Sequence, residues 1–153
     1  MDTPKRVVSL SVRHQKFMIQ NFLEQGGLVD LWAGWSLVLP TAYYQRNEDG
    51  SWSAWGADWT VDVNIIETSG DSLGNPIQPT NLIGMGQKIT VTGSGWVGMT
   101  EILTELDDNR QVFRYVGKLA AVNTIMSCWI SYFSEQQRTF AERLINQIVH
   151  RDS

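Results

Sequence analysis

The sequence predicts an α+β domain, in which an antiparallel β-sheet of about six strands is packed against one helix near the amino terminus and another near the carboxy terminus. Residues 55–65 alternate apolar and polar side chains, which is typical of a strand with one buried face. Turn-forming residues separate the strand-like segments, and the carboxy-terminal segment carries apolar residues at helical spacing.

The composition is that of a folded protein. Hydrophobic residues make up 42% of the 153 residues and charged residues 18%, which is too apolar for a disordered chain. A chain of this length buries enough surface to fold around one hydrophobic core, so we expect a single domain over residues 1–153. Seven tryptophans are many for this length, and they call for an explanation.

The amino-terminal part is predicted to contain a strand, a helix and a second strand. Residues 7–10 are β-prone, and Ser11 is a candidate N-cap for a helix over residues 11–25, which two glycines end. Residues 31–39 are predicted to form a strand that Pro40 ends, because proline has no backbone N–H to donate.

The central part is predicted to form a hairpin followed by a strand and a long loop. Residues 47–50, Asn-Glu-Asp-Gly, are typical of a hairpin turn. The strand that follows places six apolar residues on one buried face: Trp55, Ala57, Trp59, Val61, Val63 and Ile65. Residues 69–80 carry glycine and proline among polar residues, which predicts a loop within the domain.

A second hairpin and further strands are predicted beyond this loop. The strands cover residues 88–92, 96–106 and 111–116. Residues 107–109, Asp-Asp-Asn, are predicted to turn the chain between the last two of them.

The carboxy-terminal part is predicted to be a strand and then a helix. Residues 120–132 alternate in polarity, and although a helix over residues 119–126 is the alternative, the β-branched residues favour a strand. Ser134 is a candidate N-cap, and Gln137 completes a capping box. The helix that follows presents an apolar face: Phe140, Ala141, Leu144, Ile145 and Ile148.

Charge and hydropathy argue against two classes of function. The net charge is −4 and no cluster of Lys and Arg occurs, whereas nucleic-acid binding depends on such clusters. The apolar runs are shorter than the roughly 20 residues of a membrane-spanning helix. Residues 1–10 lack the apolar run of a secretory signal, and the single Cys128 excludes an internal disulfide, so we expect a cytoplasmic protein.

The sequence presents no recognisable catalytic or metal-binding pattern. Its two histidines, His14 and His150, both lie in predicted helices, and no nucleophile-elbow motif occurs. Cys128 lies on the apolar face of its strand and is predicted to be an inert, buried thiol. Two acidic pairs are predicted to be solvated: Asp107 with Asp108, and Glu101 with Glu105. We therefore predict no catalytic residue, no metal and no cofactor, and favour a protein that is not an enzyme.

The tryptophans are the remaining candidates for a functional surface. Trp55 and Trp59 share their face with aliphatic residues, so a place in the core is favoured over binding of a sugar or a cation. The other five form the candidate ligand or partner surface: Trp32, Trp35, Trp52, Trp96 and Trp129. In residues 55–65 the predicted buried face carries the odd-numbered residues. Trp52 has an even number and is therefore predicted to be exposed.

The order of the predicted elements matches a known layout. The matching parts are residues 35–40, the hairpins within residues 93–116, the strand that ends at Tyr132 and the helix that starts at Glu135. In this layout the chain resembles small α/β/α sandwich domains of the Mog1 and PsbP-like type. Such domains mostly serve as binding, assembly or adaptor proteins, which is the role that the resemblance implies, and it transfers no functional residue.

Two functions are favoured, and a purely structural subunit with a symmetric apolar interface is the third possibility. The first is a non-catalytic protein-binding or adaptor domain, comparable to bacterial immunity or chaperone-like proteins, whose partner is another protein or a second copy of the chain. The second is a small-ligand-binding protein or enzyme with a pocket lined by aromatic side chains. A cavity bordered by Trp32, Trp35 or Trp96 together with converging polar groups would favour the second function.

Overall fold

The fold consists of two antiparallel sheets and one short helix. A computed structural model describes residues 19–23, 26–40, 42–48, 50–68 and 88–151. The strands are β1 (Ile19–Leu23), β2 (Gly27–Asp30), β3 (Trp35–Leu39), β4 (Tyr43–Glu48), β5 (Ser51–Trp55), β6 (Trp59–Glu67), β7 (Ile89–Gly93), β8 (Trp96–Asp107), β9 (Arg110–Ala121), β10 (Thr124–Tyr132) and β11 (Val149–His150). A 3-10 turn (Glu135–Gln137) leads into the helix α1 (Arg138–Asn146). Among the described residues, no helix has the length and apolar character needed to cross a membrane.

Hairpins build most of the large sheet. Eight strands lie in the order β1-β4-β5-β6-β10-β9-β8-β7, and the small sheet has the order β11-β3-β2. The turn between β8 and β9 places Asp108 and Asn109 at positive φ, 51° and 63°, as a two-residue hairpin turn requires. This confirms the predicted turn. The pairing of β6 with β10 then joins two hairpin series that are far apart in the sequence.

The predicted α+β class, with two helices on a sheet of about six strands, is wrong. Most described residues are in strands, and the helix among them is the carboxy-terminal one. The described part of the predicted helix over residues 11–25 is β1, which pairs with β4. Its apolar residues do not follow one helical face, and pairing with a neighbouring strand decides the conformation. The strand predicted over residues 7–10 and the loop over 69–80 lie outside the described residues.

The strand predicted over residues 31–39 is also divided. β2 ends at Asp30, and β3 begins at Trp35. The turn between them contains Ala33 and Gly34 at positive φ, 56° and 87°, and Leu31 N donates to Trp35 O at 2.9 Å. Because Ala is not favoured at positive φ, the local residue pattern indicated this turn only weakly.

The alternating segments are confirmed in their main parts. β6 buries the four predicted residues Trp59, Val61, Val63 and Ile65. Residues 56–58 turn the chain, however, so that Trp55 belongs to β5 and Ala57 is exposed. The strand predicted from residue 120 begins at Thr124, because β9 extends to Ala121 and a two-residue turn follows.

The carboxy-terminal helix and its capping box are confirmed. Ser134 Oγ accepts a hydrogen bond from Gln136 N at 3.2 Å, and Gln137 Oε1 accepts one from Ser134 N at 3.1 Å. These bonds satisfy backbone N–H groups that the first turn of a helix leaves unpaired. The helix then buries Ala141, Leu144 and Ile145.

The core lies between the large sheet on one side and the small sheet with α1 on the other. β3 contributes Trp35, Leu37 and Leu39, all at most 1% exposed. Trp96 Nε1 donates to the Ile148 carbonyl at 2.8 Å, and His150 N donates to the Ser94 carbonyl at 2.9 Å. These bonds fasten the carboxy-terminal strand to the start of β8, which closes the end of the core.

Candidate ligand groove between the two sheets

An open groove of about 420 Å³ separates the two sheets along one edge. One wall is β2 with the turn after it, residues 28–32. The other wall is formed by β4 and β5, which contribute Tyr43, Gln45, Asn47 and Trp52. Its volume is in the range of small-molecule sites, and such sites combine aromatic surface with a few placed polar groups.

Strand geometry explains why these four side chains share one wall. In β4, residues 43, 45 and 47 point to the same face because side chains alternate along a strand. β5 is antiparallel to β4 and pairs Trp52 with Asn47, so Trp52 points to that face as well. Tyr43 and Trp52 are buried, whereas Asn47 at the outer end is exposed.

A hydrogen bond between Trp52 and Gln45 orients the amide in this wall. Trp52 is 1% exposed, and its Nε1 lies 2.8 Å from Gln45 Oε1. An indole N–H can only donate, so the atom facing it must be the amide oxygen of Gln45. The amide NH₂ group of Gln45 therefore points away from Trp52 and remains available to donate.

Trp32 supplies the half-buried aromatic surface of the opposite wall. It lies in the β2–β3 turn, which the Leu31 to Trp35 hydrogen bond and the positive φ of Ala33 and Gly34 fix. Asp30, at the end of β2, is exposed on the same wall. The groove thus combines a flat apolar surface and an oriented amide donor, and its lining includes one acidic residue, Asp30.

The predicted tryptophan surface divides into three groups. Trp32 and Trp52 line the groove. Trp35 and Trp96 are buried in the core, and each indole N–H donates a hydrogen bond there: Trp35 to Thr124 Oγ1 at 3.0 Å and Trp96 to the Ile148 carbonyl. Trp129 lies on the outer face of the large sheet, which we define as the face away from α1 and the small sheet. The five tryptophans therefore do not form one surface.

The expected exposure of Trp52 is wrong because the turn at residues 56–58 reverses the parity. The β5–β6 register pairs Trp52 with Val63, an even-numbered with an odd-numbered residue, so both lie on the core face. Trp55 consequently lies on the outer face and stacks on Tyr44, with ring centroids 6.0 Å apart. Trp55 is buried as predicted, but it belongs to a different face from Trp59.

Trp129 is engaged by a neighbouring lysine. Lys118 Nζ lies 5.2 Å from the centroid of the Trp129 ring and 2.6 Å from Ser127 Oγ. Partial burial lowers the pKa of Lys118 from its ordinary value. The Lys118 ammonium group thus makes a cation–π contact with one face of the Trp129 indole.

Several groove residues carried little signal in the sequence. Gln45 and Asn47 lie within a polar segment, and Asp30 lies just before the predicted strand over residues 31–39. The alternation of Tyr43, Gln45 and Asn47 was the indication that polar side chains face inward on one strand. The helix predicted at His150 is wrong, since this residue lies in β11 with Nε2 2.9 Å from the Ala33 carbonyl.

Comparisons with known proteins support the fold. No family model matches the chain, and no curated protein is similar enough to be taken as a relative. A crystal structure of a protein from Bacteroides thetaiotaomicron VPI-5482, at 1.50 Å resolution, superimposes with a TM-score of 0.66 and 13% sequence identity. The match covers 86% of this chain and 50% of the Bacteroides protein, so the chain spans about half the length of that protein. At this identity the similarity concerns the fold alone.

Proposed function

We propose that the groove binds a small, neutral, polyhydroxylated ligand such as a saccharide unit. The observation that carries the proposal is the 2.8 Å hydrogen bond from Trp52 Nε1 to Gln45 Oε1. It fixes an amide donor across the groove from the exposed part of Trp32. The proposed location is cytoplasmic, in keeping with the single, buried thiol.

The chemistry of the groove matches a sugar ring in two respects. A pyranose has one face of C–H groups that packs against the flat, apolar surface of an indole such as Trp32. Its hydroxyl groups both donate and accept, so one ligand can accept from the amide NH₂ of Gln45 and also donate to oxygen atoms of the lining. A purely apolar ligand would leave these polar groups unpaired, which disfavours its binding.

Ligand binding is tested by isothermal titration calorimetry and thermal shift with glucose, galactose, mannose, N-acetylglucosamine, maltose and cellobiose. We expect saturable binding of at least one of them and an increase of the melting temperature with ligand concentration. Trp32→Ala and Gln45→Leu should each weaken this binding by about tenfold or more.

The matched control is Trp129→Ala, which removes a half-buried indole from the outer face and should leave the affinity unchanged. The proposal is contradicted if no saccharide binds, or if Trp129→Ala weakens binding as much as Trp32→Ala does. Circular dichroism of each variant verifies that the fold persists.

A second candidate function, self-association, is supported by an apolar row on the outer face. The register places Val97, Ala120, Ile125 and Ile66 side by side across four strands. Val97 and Ile66, at the two ends of this row, are 39% and 52% exposed, whereas Ala120 and Ile125 between them are buried. A two-fold axis would bring these exposed apolar side chains against the same side chains of another molecule, so we propose a second copy of the chain as the partner.

Light scattering during size-exclusion chromatography tests this candidate. A dimer that Val97→Lys converts into a monomer supports it, because the lysine would place two like charges in the interface. Leu106→Lys is the control, since Leu106 is exposed at the far end of β8. A monomer at all concentrations contradicts the candidate.

A further inference from the structure

A second pocket, of about 350 Å³, is lined in part by the β2–β3 turn. Its lining comes from four separate parts of the chain: the turn at Ala33 and Gly34, the end of β6 at Glu67, the β9–β10 turn with the first residue of β10 (residues 122–124), and the end of β11 at His150 with Arg151 after it. None of these residues lines the groove described above. The pocket is therefore a separate site.

Hydrogen bonds hold the backbone of this pocket in place. Arg151 N donates to the Gly34 carbonyl at 2.9 Å, and His150 Nε2 lies 2.9 Å from the Ala33 carbonyl. Gly34 has φ +87°, and a Cβ atom there would collide with the Arg151 carbonyl. The close approach of these two segments thus depends on glycine, because any side chain would force them apart.

A buried chain of contacts supports the opposite wall. The indole of Trp35 meets the His150 ring edge-on, with centroids 4.8 Å apart, and donates through Nε1 to Thr124 Oγ1 at 3.0 Å. Thr124 Oγ1 in turn donates to the Ile66 carbonyl at 3.1 Å, next to Glu67. The backbone segments that carry Glu67 and Arg151 are therefore held by one connected set of contacts.

Two opposite charges border this pocket without neutralising each other. Glu67 and Arg151 are both exposed. The ion pairs among the described residues involve other side chains: Arg46 with Glu48, Arg114 with Glu105 and Arg138 with Glu142. Glu67 and Arg151 thus line the same pocket without forming a salt bridge to each other, and Asn123 is also part of the lining.

We propose that this pocket binds a small zwitterion, a molecule that carries one ammonium and one carboxylate group. The guanidinium of Arg151 binds the carboxylate, for which its planar pair of donors is suited. The carboxylate of Glu67 binds the ammonium group. A ligand with both charges pairs with both Glu67 and Arg151. A ligand with one charge pairs with only one of these side chains and gains no other contact in exchange.

The probes are glycine, β-alanine and 4-aminobutyrate, which increase the separation of the two charges, together with acetate and methylammonium as ligands with a single charge. Binding is followed through the ¹H–¹⁵N spectrum of the protein. We expect at least one zwitterion to bind about tenfold more tightly than either singly charged probe. Glu67→Gln and Arg151→Gln should each reduce its affinity about fivefold or more, because each removes one charge and keeps a polar group.

Trp32→Ala separates this site from the saccharide groove, because it should leave zwitterion binding unchanged. The proposal is overturned if no zwitterion shifts the resonances of residues 122–124 at concentrations up to about 50 mM. It is equally overturned if the zwitterions bind no better than acetate and methylammonium, or if binding survives both charge-removing substitutions.

Discussion

Glu101 carries an unusual polar group on the outer face of the large sheet. Its side chain is 4% exposed, and its Oε2 atom has no hydrogen-bond partner among the described residues. The residue lies opposite Val116 in β9, so its neighbour across the strand offers no polar group. A buried oxygen without a partner lowers stability, because the folded protein does not replace the hydrogen bonds that water made.

Replacing this carboxyl group should therefore stabilise the protein. Glu101→Leu is expected to raise the free energy of unfolding by about 1 kcal/mol or more, measured by urea denaturation. The control is Glu105→Leu, on the same face of the same strand, where the carboxylate is exposed and paired with Arg114 at 3.1 Å. This control should change stability little. A loss of stability in Glu101→Leu would show that the carboxyl group has a favourable role.

Burial of the Cys128 thiol makes the stability of the folded protein depend on pH at high pH. Burial in the apolar core raises the pKa of its thiol to about 12, and the negative charge of Asp62 adds to the increase. The ordinary value is 9.0, so the folded form keeps its proton after the unfolded chain has lost it. The contribution of this thiol to stability is complete below pH 9 and is lost as the pH rises toward 12.

The pH dependence should therefore differ between the wild-type protein and Cys128→Ala. Above the pKa of the thiol in the unfolded chain, the free energy of unfolding of the wild type should fall with pH more steeply than that of the variant. The difference should be up to about 1.4 kcal/mol for each pH unit. Urea denaturation at about pH 8, 9 and 10 measures both slopes. Equal slopes, or rapid alkylation of the thiol in the folded protein, would contradict the burial of Cys128.

At the level of elements, the capping box starts the 3-10 turn that leads into α1. Ser134→Ala removes the acceptor for Gln136 N and should lower the free energy of unfolding by about 1 kcal/mol. Gln136→Ala is the matched control, because its side chain is exposed and the capping bond to its backbone is retained. We expect that control to stay within about 0.5 kcal/mol of the wild type, and a similar loss in both variants would argue against the cap.

Two glycines at positive φ allow the free-energy cost of backbone strain to be distinguished from the cost of an atomic collision. Gly34 (φ +87°) faces the Arg151 carbonyl and the His150 ring, whereas at Gly50 (φ +78°) a Cβ atom would have no other atom within 4 Å. Gly50→Ala should cost about 1 kcal/mol from the backbone conformation alone. Gly34→Ala should lower the free energy of unfolding by clearly more than Gly50→Ala, measured by thermal or urea denaturation. Equal losses would contradict the close approach of Gly34 to the Arg151 carbonyl.

The elements that sequence reasoning predicted well are those with local causes. The turn at residues 107–109, the capping box at Ser134 and the alternation of β6 each depend on residues that are neighbours in the chain. β1 and the division of residues 31–39 depend on pairing with other strands, which one local pattern does not contain. The turn at residues 56–58 had a further effect, because the residues before it, Trp52 and Trp55, lie on the faces opposite to those that the alternation of β6 predicts for them.

For the whole molecule, the order of the strands was beyond the sequence. β6 and β10 are adjacent in the sheet, although β7, β8 and β9 lie between them in the chain, and no motif marks that pairing. The groove combines β2 with β4 and β5 across two sheets, so its residues could not be assembled before the sheets were known. The candidate tryptophans Trp32 and Trp52 were identified, but Gln45 and Asp30 were not. The resemblance to Mog1 and PsbP-like domains stays a prediction.

One titration tests the saccharide groove most directly. Each tryptophan contributes one indole N–H resonance to a ¹H–¹⁵N spectrum, and the saccharides of the calorimetric panel are added in turn. We predict that the resonances of Trp32 and Trp52 shift with one saturable curve, while those of Trp35 and Trp96, whose N–H groups are bonded within the core, do not move. Unchanged Trp32 and Trp52 resonances with every saccharide, or shifts led by the core tryptophans, would contradict the proposed site.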